Sequence, residues 1–175
     1  FELQTDERQI GFSRQAYAWV LTETAMIQIA MGKLFDADDS LRSAYSLFKQ
    51  YGLTENAMVD FYRRVAQLRF NEGRYSESIK ILNMVLSLQK KQGLNPASAQ
   101  VFYTQIGISS SLVAEKKWKD AVALYDEFDI LTFGNPRLRN IARQTEVRAL
   151  AYLLSGRIAS AKQLMQGSLK WHIEN

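Results

Sequence analysis

The residues that could do chemistry are few and badly placed for it. His172 is the sole histidine and the chain contains no cysteine. A lone imidazole between Trp171 and Ile173 has no Ser and Asp around it from which a proton relay could be argued, so it reads as a packing or surface residue. One histidine cannot build a His-based metal site, and the absence of cysteine removes disulfides, thiolate catalysis and Cys-based zinc sites together. The acidic run Asp36-Ala37-Asp38-Asp39 has the look of a calcium loop, but its sixth position is Leu41 instead of Gly and its twelfth is Leu47 instead of Glu. Carboxylates that oppose the positive end of a helix dipole explain that run better. Neither a G-x-G-x-x-G nor a P-loop spacing occurs. The expectation is therefore no catalytic residue, no metal, no cofactor and no enzymatic role.

What the chain does contain is punctuation. Gly11-Phe12-Ser13, Gly52-Leu53-Thr54, Gly93-Leu94-Asn95-Pro96 and Gly134-Asn135-Pro136 place a glycine every 41 residues. A fixed period of this size signals stacked copies of one unit. At each mark the glycine supplies a left-handed residue that closes a helix, and the following Ser, Thr or Asn caps the next. Pro96 and Pro136 fit the first helical position, where a missing N–H costs nothing. This divides the chain into residues 11–51, 52–92, 93–133 and 134–174, preceded by residues 1–10 as the tail of an earlier helix. Phe1 in place of Met, and an end at Asn175 where a fifth mark would begin, lead us to expect a piece of a longer array.

Each unit also breaks near its middle, at Gly32, Gly73, Lys116 and Gly156. Counting from these breaks, the residue two later is large and apolar (Leu34, Tyr75, Trp118, Ile158) and the residue five later is small (Ala37, Ser78, Ala121, Ala161). Nine later stands another apolar residue (Leu41, Leu82, Tyr125, Met165), and seven earlier a small one (Ala25, Ala66, Ser109, Ala149). Small residues let two antiparallel helices approach closely while the bulky one fills the space at the turn. The spacing predicts eight helices, near 13–31, 34–50, 54–72, 75–91, 95–115, 118–131, 135–155 and 158–173.

This order of small residue, turn glycine, bulky residue and alanine resembles the tetratricopeptide repeat (TPR), most closely at Gly73-Arg74-Tyr75-Ser76-Glu77-Ser78-Ile79. The resemblance covers essentially the whole chain. It departs from the family in its 41-residue period, in Lys116 at a turn that wants glycine, and in having proline only after the second and third units. The extended period is similar to that of kinesin light chains, of large bacterial regulators with helical sensor domains and of bacterial proteins carrying a caspase-like domain. The resemblance implies an all-α, right-handed superhelical solenoid of four helix-turn-helix repeats. It also implies that the first helix of each pair lines a concave binding surface. The groove positions carried over are Trp19, Met26 and Ile29; Arg63, Gln67 and Phe70; Tyr103, Ile106 and Ser110; and Arg143, Glu146 and Leu150. Most other aromatics, including Phe12, Tyr17, Phe61, Tyr62, Phe102 and Tyr152, are expected in the core between helices.

A groove of this composition suits an extended or helical peptide partner bearing acidic groups, because arginines form paired hydrogen bonds to carboxylates. The resulting functional reading is a protein-interaction module, a scaffold or sensor segment of a larger, bacterial protein. Two alternatives stand beside it. The apolar first helix, with Tyr17, Trp19, Val20, Ile27 and Ile29, could serve self-association or a rigid spacer. Arg137, Arg139, Arg143 and Arg148 could meet nucleic acid, although 22 basic residues interspersed with 18 acidic ones make no dedicated stripe. The net charge of +4 allows weak attraction to acidic partners of any kind. The longest apolar stretch, residues 25–31, is far below the roughly 18 to 20 residues of a membrane span, so no insertion is expected. Lack of cysteine fits either redox compartment and leaves localisation open.

Overall fold

The chemistry of the turns fixes where helices stop. The computed structural model describes residues 7–52, 55–132 and 142–174. Among them are eight helices: α1 (Glu7–Ala30), α2 (Leu34–Tyr51), α3 (Glu55–Asn71), α4 (Tyr75–Lys91), α5 (Ala99–Ala114), α6 (Trp118–Thr132), α7 (Ala142–Leu154) and α8 (Ile158–Glu174). Gly32, Gly73, Gly93 and Gly156 all take positive φ, between 71° and 86°. Each hands its N–H back three residues while the next N–H reaches back five, as in Gly73 to Phe70 (3.0 Å) and Arg74 to Arg69 (2.8 Å). This double closure satisfies carbonyls that the helix end would otherwise leave bare.

Lys116 occupies the same place with φ 63°, and its bonds to Val113 (3.0 Å) and from Lys117 to Leu112 (2.8 Å) are those of the glycine turns. The missing glycine therefore costs strain without slipping the register. A left-handed L-residue is disfavoured by about 1–2 kcal/mol, and glycine returns part of that as lost chain entropy. Lys116→Gly is thus expected to raise stability by about 0.5–1 kcal/mol in denaturant melts. Gly73→Val, where a new Cβ would meet no atom within 4 Å, should lower it by about 1–2 kcal/mol through the backbone alone.

Two helix starts differ from expectation. Gly11 does not end a helix: α1 runs from Glu7 through it unbroken, so residues 7–10 belong to the same helix as the first unit. Glu7, Arg8 and Gln9 are good helix formers, and one interior glycine costs only about 1 kcal/mol. Pro96 does not open α5 either. Asn95 Oδ1 accepts from the Ala97 N–H at 2.8 Å, and the Ser98 N–H closes on the Asn95 carbonyl at 2.8 Å. Pro96 therefore sits at the second place of a turn, and Ser98 caps the helix by accepting from Val101 N–H. Gly134 and Pro136 lie outside the described residues.

The chain folds as two compact units, Phe1–Leu88 and Gln89–Asn175. In the first, α1 packs along α2 and α3 packs against both. Its core gathers Ala18, Ala25 and Ile29 with Ala37, Leu41, Ala44 and Phe48, and α3 adds Phe61 and Leu68. The α2 members recur every three or four residues, which puts them on one helical stripe. In the second unit α5 packs on α6, α7 on α8, and α7 also lies against α5 and α6. Val113, Ala121, Val122, Tyr125, Ala151, Tyr152 and Ala161 form its core.

The repeating small positions are buried in every unit: Ala25, Ala66, Ser109 and Ala149 before the turn, Ala37, Ser78, Ala121 and Ala161 after it. The buried hydroxyls of Thr22, Ser109 and Ser111 are satisfied locally, each donating to the carbonyl four residues back. The bulky positions are less uniform. Leu41, Leu82 and Tyr125 are buried, but Met165 is exposed, as is Ile158. Of the aromatics expected inside, Phe61, Phe102 and Tyr152 are buried and Tyr62 is half-buried, whereas Tyr17, on the first helix, is exposed. The side chain of Phe12 lies outside the described residues.

Candidate functional site

The first helices of adjacent repeats lie side by side within each unit, so their outward residues share a face. In the first unit α1 and α3 are held in register by Arg64 and Glu23, one period apart and 3.4 Å from each other. Trp19 stands on this pair at 52% exposure. Met26, Arg63, Gln67 and Phe70 are half-buried. Arg63 meets Asp60 at 3.5 Å, and Phe70 leans edge-on against Tyr75 with ring centres 5.3 Å apart. Ile29, expected in the groove, is instead a core residue at 4% exposure. It lies three residues before the turn, where the second helix of the pair is nearest.

In the second unit the corresponding face of α5 and α7 carries Tyr103, Glu146 and Leu150 exposed, with Ile106 and Ser110 half-buried. Arg143 falls within α7, but its side chain lies outside the described residues. The same holds for Arg137, Arg139 and the side chains of Trp171 and His172. Arg148 is described and turns inward: its guanidinium stacks 5.6 Å from the Tyr125 ring centre and 5.3 Å from that of Tyr152. It is thereby withdrawn from any basic stripe.

Sequence reasoning missed the polar joints between repeats. Asp38, at the start of α2, accepts from Arg42 at 2.6 Å and from Arg69 of α3 at 3.1 Å. Arg69 also holds Glu72 at 2.8 Å, Glu72 holds Arg74 at 3.0 Å, and Arg74 holds Glu77 at 2.6 Å. With Leu34 and Phe35, all of these charges except Glu77 line a depression of about 530 Å³, in which the cations and carboxylates answer one another. Burial works against the Asp38 charge, but hydrogen bonds from Arg42 and Arg69 outweigh it and hold its pKa below the usual carboxylate range. A lowered folded pKa stabilises above the unfolded value near 3.8 and is lost as pH falls through the folded one. Asp38→Ala is expected to cost about 1–3 kcal/mol at neutral pH. A double-mutant cycle with Arg69→Ala should show coupling of at least about 0.5 kcal/mol.

A second joint sits on α6 and α7. The Tyr152 hydroxyl donates to Asp126 Oδ1 at 2.6 Å and accepts from Arg148 at 3.1 Å. Arg157 pairs with Asp126 Oδ2 and lies 4.5 Å from the Tyr152 ring centre. Burial penalises the Asp126 charge, and the bonds from Tyr152 and Arg157 more than offset this, so its pKa is lowered as well. Local spacing gives no sign of these joints. The Glu23 and Arg64 pair was missed as well, although opposite charges one period apart were a signal that could have found it.

Among the described residues no group of three or more His, Cys, Asp or Glu is placed to hold a metal ion, and no helix is long and apolar enough to cross a membrane. No protein-family model matches the sequence, and no curated protein matches it. The fold does have a counterpart among solved structures. A crystal structure of a protein from Podosopora anserina, described as a kinesin light chain with nearly identical TPR-like repeats, superposes with a TM-score of 0.68. The match is 18% identical and covers 86% of this chain and 72% of that one. The likeness establishes a TPR-like α-solenoid fold for the chain.

Proposed function

We propose that the chain is a protein-interaction module whose shared first-helix faces hold a segment of a partner protein. A TPR-like fold generally serves protein–protein contact, which favours a protein partner over a small molecule or a nucleic acid. The observation that carries the reading is the face of α1 and α3, where an exposed Trp19 and the half-buried Met26 accompany the guanidinium of Arg63. Aromatic and arginine side chains are those that dominate interfaces. Such a face suits an extended or helical peptide with apolar anchors and a carboxylate that pairs with Arg63. On this reading the chain is a scaffold and has no catalytic part.

The test is selection of acidic peptides against the chain, followed by titration of the best binder into Arg63→Glu and Trp19→Ala variants. Each substitution is expected to weaken binding by about tenfold or more while the helical circular dichroism stays unchanged. Equal affinity in both variants would move the site off this face.

A further inference from the structure

The guanidinium groups of the first unit are held in two different ways. At the turn ends Arg42, Arg69 and Arg74 reach their carboxylates at 2.6 to 3.1 Å, the range of charge-assisted bonds, and Arg69 and Arg74 each serve two of them. Arg64 of α3 has three contacts and none is short. The two carboxylate oxygens of Glu23 lie at 3.5 and 3.4 Å and Gln67 Oε1 at 3.4 Å, the outer limit for a hydrogen bond. Its Nε–H is buried and has no partner among the described residues. A cation whose side chain is only 26% exposed has thus given up much of its water without the short bonds that offset the loss. A further acceptor would supply one.

This cation stands in the middle of the α1 and α3 face. Trp19, Glu23 and Met26 follow one another on α1 at spacings of four and three, and Asp60, Arg64 and Gln67 do the same on α3, so each trio makes one helical stripe. The trios occupy equal offsets before their turn glycines, which puts Glu23 and Arg64 in a row between Trp19 and Met26. We infer that Arg64 selects an acidic group in the partner segment, and that the incoming carboxylate joins Glu23 on it, as Asp38 and Glu72 share Arg69. The inference rests on the reading that this face holds a partner segment, and adds to it a second carboxylate contact beside Arg63 and a spacing. Trp19 and Met26 are seven residues apart on one helix, about 10 Å along its axis. An extended segment covers that distance in about three residues and a helical one in about seven. The partner therefore carries two apolar residues at that separation with an acidic one between them. Glu23 has a double part: it holds Arg64 over the seam, and its own charge opposes the carboxylate that arrives there.

The experiment is a calorimetric titration with the tightest acidic peptide selected against the chain, and with twins in which its acidic residues are changed to the amide one at a time. The proteins are the wild-type chain, Arg64→Gln, Glu23→Gln and Trp19→Ala, each checked by circular dichroism. One twin is expected to bind the wild type about tenfold more weakly than the parent peptide does. Arg64→Gln should weaken the parent as much and leave that twin unchanged, because the pair it breaks is already missing there. Glu23→Gln should tighten the parent by about threefold, since the opposing charge is gone, and leave the twin as it was. A residue that only ties α1 to α3 gives no such gain. If Arg64→Gln weakens the parent and every twin alike, or if Glu23→Gln weakens the parent, Arg64 is a structural joint and the inference falls. The peptide site itself then stands as long as Trp19→Ala lowers affinity. A Trp19→Ala variant that binds as the wild type does, or a selection that returns no binder, takes both readings away. Should Arg64→Gln fail to fold, the twins and Glu23→Gln decide alone.

Discussion

Phe61→Ala is expected to destabilise the first unit by about 3–5 kcal/mol, the largest effect of any single truncation considered. Phe61 is 3% exposed and is the knob by which α3 enters the core of the first repeat. Its ring meets Phe48 edge-on at 5.6 Å, Tyr62 at 5.3 Å, and stacks on Tyr45 at 5.9 Å. Removing it deletes three aromatic contacts and opens a cavity that small neighbours such as Ala44 cannot fill. In a solenoid, stability is a sum of repeats and the junctions between them, so losing one junction should also lower cooperativity. Urea unfolding followed by circular dichroism reads both quantities. A loss below about 1 kcal/mol would mean that α3 does not depend on this knob.

The second large effect is alkaline. Tyr125 is 6% exposed, and burial pushes its phenol up to about 12 despite the Ser109 hydroxyl and the Arg148 charge, which pull the other way. A phenol whose folded pKa is raised stabilises fully below its unfolded value near 10, and this contribution drains away as pH rises from 10 towards 12. At 1.36 kcal/mol per unit, the second unit should lose about 2–3 kcal/mol across that window. Tyr152 adds to the same slope: burial first, and the Asp126 carboxylate beside its hydroxyl second, raise its pKa. The prediction is that Tyr125→Phe flattens most of the decline and that the double variant with Tyr152→Phe removes the rest. Phenolate absorbance measured beside chemical denaturation at each pH checks it. A slope unchanged in Tyr125→Phe would show that another group carries the alkaline loss.

Why some of this was legible and some not follows from the range of each interaction. A left-handed turn residue acts on its own backbone, so glycines 32, 73, 93 and 156 announced themselves in the sequence. Lys116 was found only because its neighbours keep the spacing, and the structure shows the backbone making the same turn against its preference. The buried small positions were legible for a related reason: close helix approach excludes side-chain volume at fixed offsets. Gly11 misled because a glycine marks a helix end only where the chain turns, and there it does not. Ile29 misled because the offset three before a turn points towards the second helix, as Val113 also does in its own core. The Asp38–Arg69 and Asp126–Tyr152 joints span 31 and 26 residues, and nothing in their local spacing pairs them.

The Glu23–Arg64 bridge says something about the history such an array can have. Its partners occupy the same place in successive copies of the unit. Were the copies identical, that place would set glutamate over glutamate, or guanidinium over guanidinium, along the whole stack. Attraction at equivalent positions is open only to copies that have drifted apart, and regularity and electrostatic cross-linking are here in competition. At this offset the second unit carries Gly107 and Val147, which need no opposite. Divergence among the repeats is thus part of what holds the first two together, and a consensus version of this chain would have to find a replacement for it.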